Sequence, residues 1–374
     1  MTDYKDVEVE GKDLGRALGL TRRQLLAATT GMAAAAMVAS PTAATASPNG
    51  QLVPAPRRGI ILYTVRDAIS RDPLEYPDVP SGFRQVFEAL SRIGYRQIEF
   101  AGYNQHANSE GGRNLGSPEG AALLRTWLDD NGLVAQGNHG SIPGTITDAT
   151  LAQFDANCEI ANILGLGHIG TGGDPTGSAY QADWDAAAER WNILGERARK
   201  MHGLKLYTHN HDIAYSFLLD SGPLDVQGRP TRSTGIRRLE YFLANTDPKD
   251  VFLEMDIYWA HVAQFRHTSY TAPDSSVVED IFDPLAVVKA QTKRFPLFHA
   301  KDGRRNATVA NGYEMVPFGT GDIDYASFFR NMGARGSHHP MYEQDNAPGG
   351  SLGPASQSLE LAELSYNNMA ALRG

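Results

Sequence analysis

The chain has 374 residues, of which 41% are hydrophobic and 21% charged, a composition typical of a globular protein with one large domain or two smaller ones. The formal net charge is −9 and the pI is near 5.7, so the sequence lacks the basic footprint expected for binding nucleic-acid backbones or anionic membranes. The single cysteine, Cys158, excludes an intrachain disulfide.

The first 46 residues differ in kind from the rest. Arg22 and Arg23 precede an alanine-rich apolar stretch that ends in a small-x-small pattern at residues 44–46. This order resembles a twin-arginine export signal, and the apolar stretch is too short and too rich in alanine for a membrane span. The alternative is an amphipathic N-terminal helix. We expect residues 1–46 to be a removable signal and residues 47–58 a linker, with the mature protein periplasmic or extracellular and without a membrane span.

Beyond this segment, short apolar runs alternate with amphipathic stretches. Several of these stretches, such as FRQVFEALSRIG, end in a glycine just past the last apolar residue, as helices commonly do. The predicted strands span residues 59–65, 95–101, 133–139, 165–172, 204–211, 251–257, 295–302 and 339–345. Eight strands alternating with helices predict an α/β fold, a single (β/α)8 TIM barrel over residues 59–374. Stretches rich in Gly, Pro, Asp and Ser are predicted as loops, at residues 103–118, 220–234, 264–283 and 303–320.

The predicted strands end in side chains that are nearly all of metal-binding types. In a parallel barrel the active site lies at the C-terminal ends of the strands. One histidine there is more often structural, but many imidazoles and carboxylates together are costly to desolvate unless a cation neutralises them. The pattern therefore favours a divalent metal site. The residues are Glu99, His139, His209, His211, Asp256, His299, Asp302, Glu343 and Asp345.

Five segments carry a resemblance to a known family: LKLYTHNHD, LANTDPKDVFLEMDIYW, RFPLFHAKDG, VPFGTGDIDYASFF and YEQDN. Together they resemble the sugar isomerase/epimerase family with the xylose-isomerase-like barrel, in a branch that contains many exported proteins. The resemblance covers roughly residues 58–372. It implies one divalent ion held by a glutamate, an aspartate, a histidine and a glutamate, one from each of the last four strands.

Three of these four ligand positions have a match in the chain. The resemblance assigns the last three ligands to Asp256, His299 and Glu343. The first glutamate is missing, because Ala214 stands at the usual position of that residue in the segment HNHDIAY. His211 or His209 is then expected to supply the fourth ligand, since alternation places both imidazoles on the same side of the strand.

Such a ligand set suits proton abstraction next to a carbonyl. Oxygen and nitrogen ligands without a thiolate favour Mn²⁺, Mg²⁺, Co²⁺ or Zn²⁺, and such an ion can stabilise the enediolate of a ketose. In the family, two glutamates exchange the proton from opposite faces of the substrate, so the resemblance implies Glu343 as one of the pair. His209, His211 or Glu99 is expected to act from the other face, where a histidine of near-neutral pKa is competent.

Other polar residues at the strand ends are predicted to contact the substrate. Glu99 belongs to this set. His139 is predicted to bind a hydroxyl, with a capping or core role as the alternative, and Lys301 to bind substrate or serve as a structural charge. Asp302 is predicted to orient a ligand or bind a sugar hydroxyl. Trp259 is predicted to stack on a sugar ring, the alternative being a place in the core.

The sequence favours a metal-dependent isomerase or epimerase that acts on an unphosphorylated sugar or keto-glycoside. A related alternative is elimination from a 3-keto-glycoside, because the same enediolate would expel a glycosidic oxygen. An endonuclease with the same barrel would need a basic groove, which the acidic charge disfavours. A carbohydrate-binding barrel without catalysis is the third class, favoured by the missing glutamate. The expected partner is a small sugar and not nucleic acid, and the number of subunits stays open.

Overall fold

The computed structural model describes residues 50–103, 111–333, 337–348 and 354–374. The predicted signal, with Arg22 and Arg23, lies outside the described residues. The described part of the predicted linker packs along the C-terminal end of the chain. Gln51 forms an antiparallel bridge with Arg373, and the backbone N–H of Leu52 donates to the carbonyl of residue 372 at 3.2 Å. The two ends of the described chain therefore lie side by side.

Eight parallel strands of the described chain form one sheet, which confirms the predicted barrel. They are β1 (Gly59–Ile61), β2 (Gln97–Phe100), β3 (Val134–Asn138), β4 (His168–Thr171), β5 (Lys205–His209), β6 (Val251–Asp256), β7 (Leu297–Ala300) and β8 (His339–Tyr342). The strand order is β3-β2-β1-β8-β7-β6-β5-β4. A parallel bridge between His139 and Gly170 joins the two outer strands. The barrel is nearly closed, and all eight strand C-termini point to one end.

Ten α-helices in the described chain accompany the strands. They are α1 (Arg66–Ser70), α2 (Gly82–Ile93), α3 (Pro118–Asp130), α4 (Asp148–Leu164), α5 (Gln181–Arg197), α6 (Arg238–Ala244), α7 (Ile257–Arg266), α8 (Pro284–Ala290), α9 (Tyr325–Asn331) and α10 (Gln357–Ala371). Local chemistry sets their ends: α4 starts at a capping box between Thr147 and Thr150 and stops at Gly165, which has a φ of 75°. Among the described residues, no helix combines the length and hydropathy that crossing a membrane requires.

Three of the stretches predicted as loops contain antiparallel hairpins. They pair Ser221–Leu224 with Pro230–Arg232, Ser269–Thr271 with Val277–Glu279, and Asp302–Arg305 with Tyr313–Val316. The first two are largely exposed, so they carry no apolar run that would mark a strand. The third begins two residues after β7 and places a long hairpin beside the C-terminal end of the barrel.

An apolar layer fills the barrel beneath its polar C-terminal end. The layer has one side chain from each of β5 to β8: Tyr207, Phe252, Leu297 and Met341. Two glycines make room for the tyrosine, because a Cβ on Gly137 would lie 2.9 Å from the Tyr207 hydroxyl and one on Gly170 would lie 2.6 Å from its ring. Polar residues one step further along each strand therefore rest on a packed, dry base.

Candidate metal centre

Four side chains from the last four barrel strands converge at the C-terminal end. His209 ends β5, Asp256 ends β6, His299 lies in β7 and Glu343 follows β8 directly. One potential ligand atom from each lies within 4.8 Å of the other three, and all four residues are buried. The sheet register accounts for part of this arrangement, because Asp256 and His299 are direct partners in neighbouring strands. These four residues are called the ion cluster below.

Several buried polar atoms of the ion cluster have no hydrogen-bond partner. They are both ring nitrogens of His209, the Oδ2 atom of Asp256 and the Nδ1 atom of His299. His299 Nδ1 lies 2.8 Å from Glu343 Oε2, which is itself a member of the ion cluster. Asp256 uses its other oxygen to cap α7, accepting from the backbone N–H of Trp259 at 2.9 Å. Buried polar atoms are normally paired. This set of unpaired atoms therefore fits a site in which they coordinate one cation.

A second set of buried side chains lies against the other edge of His299. His299 Nε2 is 3.0 Å from Glu99 Oε2 and 3.2 Å from Glu254 Oε2. His139 Nε2 is 2.7 Å from Glu254 Oε2, and the Tyr207 hydroxyl donates to Glu99. We call Glu99, His139, Glu254 and the Tyr207 hydroxyl the floor network. Through this network the His299 ring is held on one side while its Nδ1 faces the ion cluster.

The two glutamates of the floor network have opposite protonation tendencies. Burial alone would raise the pKa of Glu99, but the neighbouring His139 and His299 outweigh it and hold that pKa at about 2. Burial, and then the charge of Glu99, raise the pKa of Glu254 well above its usual range. Burial also lowers the pKa of His139 to about 4. Glu99 is therefore the ionised member, Glu254 holds a proton, and His139 is neutral.

The acids of the ion cluster also differ in charge. Burial raises the pKa of Asp256 to about 6, against the opposing effect of Lys301. Burial would likewise raise the pKa of Glu343, but His299 and Lys301 outweigh it and hold that pKa well below its usual range. Burial and the other imidazoles lower the pKa of His209, so His209 is neutral. Either ring nitrogen can then serve as the metal ligand, depending on which of them carries the hydrogen.

His211 lies outside the ion cluster, at the mouth of the barrel. Its side chain is 42% exposed, and its Nδ1 atom is 3.7 Å from Asp174 Oδ2. Its ring centroid lies 5.0 Å from that of His209 and 5.5 Å from that of Trp259. Burial would lower the pKa of His211, but the carboxylate of Asp174 raises it overall. Of the two histidines predicted for the fourth ligand, the structure groups His209 with the other three.

Lys301 lies next to the ion cluster and is almost completely buried. Its Nζ atom is 2.8 Å from both carboxylate oxygens of Asp345 and 3.1 Å from Glu343 Oε2. It also lies 5.2 Å from the ring centroid of Trp259. Burial would lower the pKa of Lys301, but Glu343, Asp256 and Asp345 outweigh it and raise that pKa. The side chain is therefore a permanent cation between the ion cluster and the mouth.

The structure corrects the expectation for Asp302. Its carboxylate accepts hydrogen bonds from the backbone N–H groups of Gly303, Gly319 and Gly321, at 2.8, 2.8 and 3.1 Å. Strand alternation directs it away from the barrel axis, since His299 and Lys301 occupy the inward positions. Asp302 therefore fastens the third hairpin to the loop that follows it, and this position does not support contact with a ligand or a sugar.

Three residues of the centre were not predicted. Glu254 lies two positions before Asp256, so alternation alone places both on the inner face of β6. Tyr207 stands in the same relation to His209 on β5. Asp174, the partner of His211, lies beyond the predicted strand at residues 165–172, so the set of residues at predicted strand ends did not include it. The period of two along the strands was the signal that would have found the first two.

The fold and this centre define a TIM barrel with a metal-type ligand set at the C-terminal end of its strands. The chain belongs to the xylose isomerase-like TIM barrel family, whose sequence pattern matches residues 87–362. No curated protein matches the chain significantly.

Several solved structures are similar. One is a sugar phosphate isomerase/epimerase from Parabacteroides distasonis, with 21% identity, a TM-score of 0.57, and coverage of 88% of this chain and 99% of that one. Another is a probable 3-DHS dehydratase from Bacillus anthracis, with 13% identity, a TM-score of 0.53, and coverage of 83% and 97%. A xylose isomerase domain protein from Alicyclobacillus acidocaldarius has 15% identity, a TM-score of 0.52, and coverage of 78% and 94%. At these identities the likeness shows a shared fold.

Proposed function

We propose that the protein is a metal-dependent enzyme that removes a proton next to the carbonyl of an unphosphorylated sugar or keto-glycoside, leading to isomerisation or epimerisation. The observation that carries this proposal is the ion cluster, in which buried donor atoms of His209, Asp256 and His299 converge without hydrogen-bond partners. The family membership supports the same chemistry, because a solved relative in fold is named a sugar phosphate isomerase/epimerase.

The ion cluster fits a divalent metal by its chemistry. Two imidazoles and two carboxylates, without a thiolate, suit Mn²⁺, Mg²⁺, Co²⁺ or Zn²⁺. His209, Asp256, His299 and Glu343 would hold the ion, with His209 taking the place of the glutamate that the family resemblance implies. When bound, such an ion supplies a Lewis acid for the substrate carbonyl. The floor network supports the set by holding His299 Nε2 against Glu99 and Glu254.

Proton transfer is assigned to two groups at different depths. Glu343 is ionised and belongs to the ion cluster, where it can accept a proton from carbon. His211 is half exposed at the mouth; Asp174 accepts from its backbone N–H and lies 3.7 Å from its imidazole. A histidine titrating near neutral pH can give or take a proton on the opposite side of a bound sugar. The pair would thus replace the two glutamates expected from the family resemblance.

The charge around the centre favours a neutral substrate. In the part of the chain that the structure describes, Asp256, Glu343 and Asp345 surround a single cation, Lys301. That cation is already bound by all three carboxylates. With a divalent ion bound, the ion and Lys301 balance the three carboxylates, so a phosphate group would meet no excess of positive charge, whereas sugar hydroxyls can donate to the carboxylates. Trp259 beside His211 offers a ring face for the apolar side of a sugar.

Elimination from a 3-keto-glycoside is the alternative reaction. The same proton abstraction by Glu343 would leave an enediolate that expels a glycosidic oxygen, and His211 is placed to protonate that leaving group. The half-exposed position of His211 favours this reading, because a leaving group at the mouth can depart directly to solvent. A barrel that only binds carbohydrate would bind the same sugars without any proton exchange.

Solvent deuterium separates these proposals. The protein, loaded with Mn²⁺, is incubated in D₂O with keto-sugars and 3-keto-glycosides, and products are read by NMR and mass spectrometry. Deuterium in a rearranged sugar supports isomerisation or epimerisation, whereas release of the aglycone supports elimination. Glu343→Gln is the matched variant and should abolish both. If metal-loaded protein binds sugar without deuterium uptake, the proposed catalysis is contradicted. The protein would then be a carbohydrate-binding barrel.

We also propose that the protein is exported by the twin-arginine route. The support is the order of Arg22 and Arg23, apolar stretch and small-x-small pattern in the sequence. Replacing both arginines with lysine should leave folded protein in the cytoplasm, as measured by cell fractionation. Export of the double variant at the normal level would overturn the assignment.

A further inference from the structure

Lys301 contacts both acidic members of the ion cluster. Its Nζ atom lies 3.1 Å from Glu343 Oε2 and 3.4 Å from Asp256 Oδ2. The lysine side chain is 2% exposed and the Asp256 side chain is fully buried, so little water screens these charges. Lys301 follows His299 by two positions, which places both on the inner face of the chain. A permanent positive charge thus shares the carboxylates that a bound ion would use.

This arrangement puts the ammonium in competition with a divalent ion. Like charges at such short range repel strongly in a buried site, and each carboxylate oxygen contacted by Lys301 is less available to a metal. We propose that Lys301 is an internal counter-ion of the ion cluster, which neutralises Asp256 and Glu343 in the metal-free protein and weakens the binding of divalent ions. This inference rests on the proposed function, since it takes the ion cluster as the metal site.

Asp345 is a further acidic partner for the Lys301 ammonium group. Both of its carboxylate oxygens lie 2.8 Å from Lys301 Nζ, and its side chain is 33% exposed, on the solvent side of the lysine. The backbone carbonyl of Asp345 accepts from Arg66 Nη2 at 2.8 Å, which fixes this segment. When an ion binds, Lys301 can keep Asp345 while it releases Glu343 and Asp256. Asp345 is therefore a positioning residue that favours metal binding through Lys301.

A purely structural role for Lys301 makes the opposite prediction. If the lysine only held Glu343 and Asp256 in position for a metal, its removal would loosen the carboxylates and weaken binding. If it competes, its removal strengthens binding. The two roles therefore differ in the sign of the change in metal affinity, which a measurement of activity alone would not reveal.

The experiment is a calorimetric titration of the whole protein with Mn²⁺ after removal of metal by a chelator. Lys301→Met keeps the length of the side chain without its charge and should tighten binding about tenfold or more. Lys301→Arg keeps the charge and should stay near the wild-type value. Asp345→Asn should weaken binding several-fold, because the ammonium then depends more on the ion cluster. In the double variant Lys301→Met, Asp345→Asn, the second change should have no further effect, since the two act as one unit.

Lys205→Met is the matched control. Lys205 opens β5 at the opposite end of the barrel and is exposed, so its loss changes the net charge equally but should leave Mn²⁺ affinity unchanged. Weaker or unchanged binding by Lys301→Met overturns the inference, and Lys301→Gln serves as the test if the methionine variant does not fold. A wild-type protein and variants that all fail to bind Mn²⁺ would instead overturn the proposed metal site.

Discussion

His209 and His211 lie two positions apart at the end of β5, in very different surroundings. His209 is buried with two unpaired ring nitrogens, whereas His211 is half exposed and contacts Asp174. We expect His209→Ala to lower Mn²⁺ affinity by at least about tenfold, a loss at least as large as that from removing an outer-shell partner. His211→Ala should keep the metal and lose formation of deuterated product. Metal content after dialysis and product formation in D₂O, both measured by mass spectrometry, check these outcomes, and the reverse pattern would make His211 the ligand.

Glu99 and Glu254 form a matched pair within the floor network. Both are fully buried, but Glu99 is ionised and accepts from Tyr207 and His299, while Glu254 carries a proton. Glutamine mimics a protonated carboxyl group, so Glu254→Gln should change the free energy of unfolding little. Glu99→Gln should cost about 1–3 kcal/mol, because it leaves buried donors poorly paired. Urea unfolding in the presence of chelator measures both, and equal losses would contradict the assigned charges.

Single residues show where sequence reasoning reached its limit. Asp256, His299 and Glu343 were predicted from strand ends and a family resemblance, and the structure brings them together with His209. Asp302 also follows a strand closely, yet its carboxylate turns outward to three backbone N–H groups. The sequence identifies which residues lie near strand ends. Whether such a side chain faces the barrel axis depends on where the strand ends and the following hairpin begins.

Asp302 stabilises a hairpin and is not part of the ion cluster. Two of its three backbone contacts join the start of the hairpin, which runs from residue 302 to residue 316, to the loop at residues 317–321. Asp302→Ala should cost about 1–3 kcal/mol of unfolding free energy, because one buried and two partly buried hydrogen bonds lose their acceptor. Hydrogen exchange should quicken across residues 302–321 while Mn²⁺ affinity stays the same.

The hairpin offers its own control for this variant. Arg304 forms an ion pair with Glu314 across the two strands, and the arginine side chain is 60% exposed. Exposed pairs contribute little, so Arg304→Ala should leave both exchange and stability nearly unchanged. Loss of Mn²⁺ binding in Asp302→Ala, with exchange of the hairpin unaltered, would instead return Asp302 to the metal site.

At the level of elements, the barrel was predictable and its additions were not. Most of the eight strands are marked by an apolar run such as VFLEMDI, because strands of a parallel barrel are covered on both faces. The observed strands are shorter than the predicted ones; β1, for example, ends at Ile61, where a 3-10 helix at Leu62–Val65 begins. The first two hairpins depend on cross-strand pairing in exposed segments, which leaves no periodic pattern in the chain.

Two histidines at the N-terminal end of the barrel are expected to make the free energy of unfolding of the whole molecule depend on acidity. His168 opens β4 and His339 opens β8, and their ring centroids are 6.1 Å apart. Burial, with the nearby Lys205, lowers the pKa of His168 to about 4. Burial, with Arg57, lowers the pKa of His339 to about 3. Both imidazoles are therefore neutral in the folded protein at pH values where an unfolded histidine is already charged.

The sign of the pH effect follows from proton uptake. An unfolded histidine titrates at about pH 6.5, so below that value the unfolded chain binds more protons than the folded one. Stability is complete above pH 6.5 and falls as the pH drops toward 4, by about 2 kcal/mol per histidine at pH 5. Urea unfolding at pH 7 and pH 5 measures this loss.

Two substitutions test the origin of the acid effect. In the double variant His168→Gln, His339→Gln, the difference between pH 7 and pH 5 should shrink by about the contribution of both histidines. His202→Gln is the control, because His202 ends the helical segment Ala198–His202 and pairs with Asp155, outside this pair of histidines. An undiminished pH difference in the double variant would show that other groups cause the loss of stability.

The strand order also determines when the ion cluster can form during biosynthesis. β8 is the last strand to be translated, yet it inserts between β1 and β7 and carries Glu343 at its end. A nascent chain that has not released β8 from the ribosome has an open sheet and lacks one of the four ion-cluster residues. Under the proposed metal function, the ion would therefore be selected after translation, from the ions present in the compartment in which the barrel closes.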